Sequence, residues 1–284
     1  HKTNMETPQI PRKPITITFI GAGNMARSLI VGLLQDKAQV ALRVADPDQH
    51  QLDAIRQHWP EVMATTNNLE AIQGADVVVL AVKSQIMREV AQGLAAQVQR
   101  SHPLIVSVAA GIRESALNGW LGGNLPLVRC MPNTPALVQA GATGLYANAN
   151  VSEAQRSLAE SILRAVGITL WFDEEDKLDA VTAVSGSGPA YFFLVMEAMQ
   201  TAAEKLGIEA EDAKLLVIQT ALGAARLALE SGEQPAELRR KVTSKGGTTE
   251  AALKVLNEGG LPALFEQALA AAANRSRELA QANQ

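Results

Sequence analysis

The chain carries one cysteine and four histidines in 284 residues. Cys130 has no partner for a disulfide, and His1, His50, His58 and His102 are too scattered to form a ligand cluster, so no metal is expected. Aromatic residues make up 4% of the sequence and the formal net charge is −4. A nucleic-acid partner would call for stacking platforms and a basic footprint, and both are missing. Long apolar runs are absent as well. Val77–Val82 is among the longest and falls far short of the roughly 20 residues a helix needs to cross a bilayer, so no membrane is expected.

What remains is core material. Apolar residues account for 47% and charged residues for 19%, a balance that excludes disorder. At about 100–200 residues per domain, the length suits one large or two ordinary domains. Residues 1–13 are read as a tag remnant and flexible tail, because His1–Asn4 precede Met5 and proline recurs at Pro8 and Pro11. No secretory signal is recognisable there. With one free thiol, a cytoplasmic location is expected.

Two periods alternate over residues 14–173. Ile15–Ile20 is β-rich and ends at Gly21; Met25, Leu29, Ile30, Leu33 and Leu34 follow at helical spacing. Val40–Ala45, Asp76–Val82 and Leu104–Val108 read as further strands, with shorter ones at Pro126–Arg129, Ala142–Ala147 and Ile168–Phe172. Strands without polar alternation, interleaved with helices, predict a mostly parallel sheet covered on both faces. Near Asp173 the pattern changes. Asp173–Asp176 is an acidic cluster that suits the first turn of a helix. Beyond it lie only helical stretches: Lys177–Leu206, Glu209–Ser231, Gln234–Val242, Thr249–Glu258 and Pro262–Ala282, with Gly207, Gly232 and Gly259-Gly260 at their stops. An all-α second domain over 174–284 is therefore expected.

Gly21-Ala22-Gly23-Asn24-Met25-Ala26 has the form G-x-G-x-x-A between a strand and a helix. In that setting Gly21 permits the tight turn, Gly23 leaves room for a pyrophosphate, and Ala26 lets helix and strand pack closely. The helix N-terminus then offers unpaired N–H groups to the anion. The first domain is thus read as an α/β Rossmann-type dinucleotide-binding domain. Asp46 stands twenty positions after Ala26, where an acid accepts hydrogen bonds from the adenine ribose. A carboxylate there repels a 2′-phosphate, and no arginine follows closely, so the residues favour NADH over NADPH. The alternative is an Asp-Pro turn that touches no ligand. Ala81-Val82-Lys83 and Ala109-Ala110-Gly111 end two further strands, where small residues leave a nicotinamide room. Lys83 is either a phosphate or ribose contact or a solvated loop lysine.

Val242-Thr243-Ser244-Lys245-Gly246-Gly247-Thr248-Thr249-Glu250 joins two predicted helices. Two glycines allow successive N–H groups to form an anion nest at a helix start, which suits a small carboxylate. By itself the stretch is equally a capped interhelical turn. It is accompanied by Arg129-Cys130-Met131-Pro132-Asn133-Thr134-Pro135-Ala136 and by Val184-Ser185-Gly186-Ser187-Gly188-Pro189-Ala190-Tyr191. With these four motifs in order, the chain closely resembles the pyrroline-5-carboxylate reductases from about Ile15 to Leu279.

The resemblance implies reduction of 1-pyrroline-5-carboxylate to L-proline by NADPH, with NADH accepted by many members, as the final step of proline synthesis. It implies a helical domain that dimerises, in some members within a decamer of five dimers. Cofactor contacts would be Ile20, Gly21, Ala22, Gly23, Asn24, Met25, Asp46, Asn68, Ala81, Val82, Lys83, Ser84, Ala109, Ala110 and Gly111. Substrate contacts would be Ser244, Gly247, Thr248 and Thr249, with Thr249 at the position of a threonine that hydrogen-bonds the ring nitrogen. Ser84 and Lys245 stand where many members have proline, and Lys245 adds a charge beside the nest. No histidine lies in any motif, so catalysis would rest on orientation and desolvation, with Thr249 as hydrogen-bond partner. A β-hydroxyacid dehydrogenase would instead need an acid-base lysine, for which Lys205, Lys214, Lys241 and Lys245 are available without matching flanks. A cofactor-sensing protein without chemistry would leave the second-domain loop without a purpose.

Overall fold

The computed structural model describes residues 13–36 and 39–284, so the expected tail, apart from Lys13, lies outside the described residues. The chain forms two units. One runs to Val181 and takes back Ser276–Gln284, and the other is Thr182–Arg275.

The first unit holds an eight-stranded sheet: β1 (Ile15–Ile20), β2 (Val40–Ala45), β3 (Met63–Thr65), β4 (Val77–Leu80), β5 (Leu104–Ser107), β6 (Leu127–Met131), β7 (Gly141–Ala147) and β8 (Gly167–Trp171). Their spatial order is β3-β2-β1-β4-β5-β6-β7-β8. Every pairing is parallel except β6 with β7. Helices α1 (Asn24–Gln35), α2 (Gln49–His58), α3 (Asn68–Ile72), α4 (Ser84–Ser101), α5 (Glu114–Trp120) and α6 (Glu153–Arg164) connect the strands. One face buries Ile17, Phe19, Val77, Val79 and Val106 with Leu29 and Ile30 of α1. The other buries Ile20, Val78, Leu80 and Ile105 with Met87, Ala91 and Leu94 of α4. Covering both faces explains the unbroken apolar runs, each large side chain contributing about 1.5–3 kcal/mol by leaving water.

The order has a consequence for the site. The chain leaves β1 toward β2 and β3, then returns on the other side of β1 as β4. The carboxyl ends of β1 and β4 therefore border the crevice where such sheets receive ligands. The strand β3 was missed in the sequence because three residues, Met63-Ala64-Thr65, carry no period.

The acidic cluster is not the first turn of a helix. It forms the turn ahead of α7 (Lys177–Val181). The buried Arg129 guanidinium lies 3.1 Å from the Glu175 carboxylate. The same carboxylate accepts the Glu114 N–H at 2.6 Å, and Arg113 lies 2.5 Å from Asp176. Arg113 holds the Asp176 carboxyl below its usual range through that hydrogen bond. Two guanidinium partners offer more than the fraction of a kcal/mol typical of a helix dipole, so the cluster faces them.

The second unit is all helical. The expected Lys177–Leu206 helix is interrupted: after α7 come a π-helical turn, Thr182–Gly186, and α8 (Gly188–Lys205). The Tyr191 hydroxyl donates to the Ala183 carbonyl at 2.7 Å and holds this turn. Then follow α9 (Ala210–Ser231), α10 (Pro235–Lys241), α11 (Thr248–Glu258) and α12 (Leu261–Ala282), whose last residues from Ser276 belong to the first unit. Among the described residues, the buried apolar side chains of the second unit are Ala183, Ala213, Val217 and Ala273. Phe192, Phe193, Leu194, Leu215, Leu216 and Leu222 are all more than half exposed. Within the joined helical stretch Lys177–Lys205 one 18-residue window reaches a mean hydropathy of 1.2, long and apolar enough to cross a bilayer by length and composition alone, a property that core helices of folded proteins share.

The buried pair yields a stability prediction. Glu175→Ala strands the Arg129 charge and should cost about 3–5 kcal/mol in urea unfolding. Glu160→Gln, which breaks a solvent-accessible i,i+4 pair with Arg164 on α6, should cost less than about 0.5 kcal/mol. Equal effects would remove the ion pair from the list of fold determinants.

Candidate active site

The site begins at Gly21, which adopts φ +102. A Cβ placed there would lie 2.5 Å from the Ala81 carbonyl oxygen, so no other residue lets the exits of β1 and β4 approach so closely. Gly21 donates its N–H to the Ala45 carbonyl at 2.8 Å, and Ala81 donates to the Ile20 carbonyl at 2.8 Å. The turn is thus fastened to both neighbouring strands. Gly23 is its complement: exposed, it has nothing within 4 Å of where a Cβ would stand. That open space lies at the N-cap of α1, whose first N–H groups, from Asn24 to Ala26, have no partners within the helix. A diphosphate needs such a cradle: room against backbone, donors, and the positive end of a helix dipole. These residues fit a dinucleotide.

Asp46 lies just past β2 with both carboxylate oxygens engaged. One accepts the Ala22 N–H at 2.8 Å and the other accepts the Asp48 N–H at 2.8 Å. The carboxylate therefore positions the glycine turn, a role that sequence spacing did not reveal. A carboxylate has about four acceptor sites, which leaves capacity for ribose hydroxyls. The Asp-Pro turn and the ligand reading are accordingly compatible. Asp48 caps α2, its side chain accepting the His50 N–H.

The remaining cofactor candidates gather along the same edge. Ala81 and Val82 follow β4, and Lys83 is the N-cap of α4, which Ser84 opens. Lys83 is exposed and makes no capping bond with its side chain. Ala109, Ala110 and Gly111 follow β5, with Ala109 donating to the Ser107 hydroxyl at 3.3 Å. The Gly111 carbonyl accepts from the Asn283 side chain at 3.0 Å, a contact from the last residues of the chain that no local pattern announced. Asn68 opens α3 behind its cap Asn67, beyond β3 at the sheet edge. Ile20 is buried as the last residue of β1, and Met25 is partly buried in the first turn of α1.

Ser244, Gly247, Thr248 and Thr249 all lie in the second unit, the first two between α10 and α11 and the two threonines as the opening residues of α11. Gly246 adopts φ +75, as a nest requires. Its N–H, however, donates to the Glu250 carboxylate at 3.2 Å, and the Gly247 N–H donates to the Ser244 carbonyl at 3.0 Å. The two glycine donors expected to receive an anion are thus occupied inside the loop. Glu250 acts as a capping-box acid that reaches one residue further back. The donors left for a carboxylate are those of the first turn of α11, opened by Thr248 and Thr249. Cys130 does not compete for a chemical role: it is buried, and burial pushes its thiol far above the ordinary range.

Comparison with known proteins agrees with these two halves. Residues 175–279 match the family model described as pyrroline-5-carboxylate reductase dimerisation, and residues 16–111 match the model described as NADP oxidoreductase, coenzyme F420-dependent. A pyrroline-5-carboxylate reductase of Pseudomonas aeruginosa is 55% identical over 278 residues, covering 98% of each chain. The structure of a pyrroline-5-carboxylate reductase from Coxiella burnetii superposes with a TM-score of 0.89 at 47% identity, over 93% of this chain and 97% of that one. A Plasmodium falciparum pyrroline carboxylate reductase with NADP bound superposes at 0.82 with 27% identity, over 94% and 99% of the two chains. The chain belongs to the pyrroline-5-carboxylate reductases, nicotinamide-dependent oxidoreductases of the final step of proline biosynthesis.

Proposed function

We propose that this chain reduces 1-pyrroline-5-carboxylate to L-proline by binding NADH or NADPH along the carboxyl edge of β1, β2, β4 and β5 and the imine acid at the start of α11. The observation that carries the reading is the pairing of Gly21, which closes the turn, with Gly23, which leaves it open above a helix N-terminus. When bound, the reduced nicotinamide supplies the hydride that the imine carbon accepts.

The protein's own share is binding and orientation. Ile20–Met25 hold the diphosphate, and Asp46 takes the ribose. Ala81–Ser84 and Ala109–Gly111 line the nicotinamide end, and Asn68 lies toward the adenosine end. In the second unit the first turn of α11 receives the substrate carboxylate, with Ser244, Gly247 and Thr248 around it. The Thr249 hydroxyl hydrogen-bonds the ring nitrogen and so favours the protonated imine, the better hydride acceptor. Lys245 is exposed and adds positive charge to the approach of an anionic substrate. None of these residues need change its charge during turnover, which suits a site whose reactive chemistry belongs to its cofactor.

The exposed apolar helices support a homodimer through the second unit, with a decamer of five dimers as the larger form. A second copy would supply the core that Ala183, Ala213, Val217 and Ala273 cannot supply alone. The same covering explains the apolar stretch Lys177–Lys205 without a bilayer, in keeping with a cytoplasmic location.

Three outcomes test this. Thr249→Val should lower turnover at least tenfold, about 1.4 kcal/mol of barrier, in a reduced-nicotinamide absorbance assay with the imine acid; unchanged turnover would remove Thr249 from the chemistry. Asp46→Asn keeps an acceptor for the Ala22 N–H but loses the charge, so kcat/KM should shift toward NADPH by about tenfold relative to NADH. A ratio that stays constant would reduce Asp46 to its structural role. The unfolding midpoint should rise with protein concentration, as for an obligate dimer, and concentration-independent melting would contradict the shared core.

A further inference from the structure

Arg27 lies one residue past the glycine motif, in the first turns of α1, far in sequence from Asp46. In space the two meet at one residue, Ala22. Asp46 accepts the Ala22 N–H at 2.8 Å, and the Arg27 Nε donates to the Ala22 carbonyl at 3.2 Å. The bond lengths of one residue plus these two hydrogen bonds keep carboxylate and guanidinium within about 10 Å. The Arg27 Nη2 then reaches across to the Gln51 side-chain oxygen, in the first turn of α2. Arg27 thus bridges the glycine turn and the helix that follows Asp46, over the side of the cradle where the adenosine ribose is placed.

We propose that Arg27 is the residue that recognises a 2′-phosphate in this protein, so that NADPH is accepted despite the carboxylate of Asp46. The inference rests on the cofactor reading given above. Arg27 is partly exposed, and a guanidinium has five donors, more than the two bonds made here. Its Gln51 partner is neutral. A phosphate oxygen in the same place would accept a charge-assisted bond, roughly twice as strong, and the fork of the guanidinium matches its geometry. The position also answers the electrostatic difficulty. Asp46 and Asp48 put two carboxylates in the turn after β2, and a cation arriving from α1 is what offsets them for a phosphorylated ribose. Gln51 holds the guanidinium ready while the phosphate is absent.

The test uses two small probes that differ only in the group at issue: AMP and adenosine 2′,5′-bisphosphate. Their dissociation constants are measured by calorimetry on the full chain, for the unsubstituted protein, Arg27→Leu and Arg27→Lys. Arg27→Leu should weaken the bisphosphate at least tenfold while AMP changes less than threefold. Arg27→Lys should keep part of the preference, and added salt should weaken the bisphosphate more in the unsubstituted protein than in Arg27→Leu. Parallel loss of both probes would mean that Arg27 only braces Ala22, and no change in either would leave it without a part in binding; both outcomes overturn the proposal. Failure of AMP itself to bind the unsubstituted protein would overturn the cofactor reading beneath it, a result distinct from the other two.

Discussion

The rest of the first unit depends on how closely Gly21 approaches the Ala81 carbonyl. A single methyl group would stand 2.5 Å from that oxygen, closer than non-bonded atoms tolerate. Because nothing intervenes, β1 and β4 leave the sheet side by side at the point where the topology reverses. Because Gly21 takes φ +102, the chain turns back there into α1. The helix N-terminus is thereby aimed at the crevice, and the open face of Gly23 becomes available to a ligand. Burial of β1, β4 and β5 on both faces fixes the strands, but this contact decides what their ends present.

Residue Ala22 carries that constraint outward. Its N–H goes to an acid that follows β2 and its carbonyl to a basic side chain on α1. The two peptide groups that meet at its Cα therefore bring two opposite charges to the same turn. Cofactor choice is a difference between affinities. On the proposed assignment, Asp46 would add to binding where the ribose carries hydroxyls, and Arg27 where it carries phosphate. A site built that way would tolerate both cofactors, with a balance that shifts with either side chain.

Much of this was legible because its cause is local. Gly-x-Gly between a β-rich hexamer and an apolar helix has few physical uses. Unbroken runs such as Val77–Leu80 can only be strands buried on two faces. Glycines at 207, 232 and 260 take the positive φ that ends helices, so the helical half could be divided without a structure. What escaped was non-local. The acidic cluster turned toward Arg113 and Arg129, more than forty residues away, and not toward a helix dipole. The π-helical turn at Thr182–Gly186 is held by Tyr191, and helical period alone does not distinguish it from an α-helix. Spacing marks Asp46 as a candidate ribose acceptor and gives no sign that it braces Ala22. No local pattern singles out Arg27, because its partner Gln51 is on another helix.

The loop before α11 shows how a motif can be right in position and different in mechanism. Two glycines in succession suggested backbone donors turned toward an anion. Instead the Glu250 carboxylate takes one of them, and Ser244 takes the other. Such a loop is stabilised in the absence of ligand, which limits the entropy lost when substrate arrives. It also places a negative charge near the end of α11, where an anionic substrate would otherwise meet only the positive end of a dipole. On the proposed assignment, the substrate carboxylate would compete with Glu250 or use the remaining donors of Thr248 and Thr249. Lys245 supplies the opposite charge in the same loop. An acid and a base thus stand in this loop much as Asp46 and Arg27 stand at the glycine turn, and on the proposed assignment backbone donors would make the contact in both places while these side chains tune which anion is admitted.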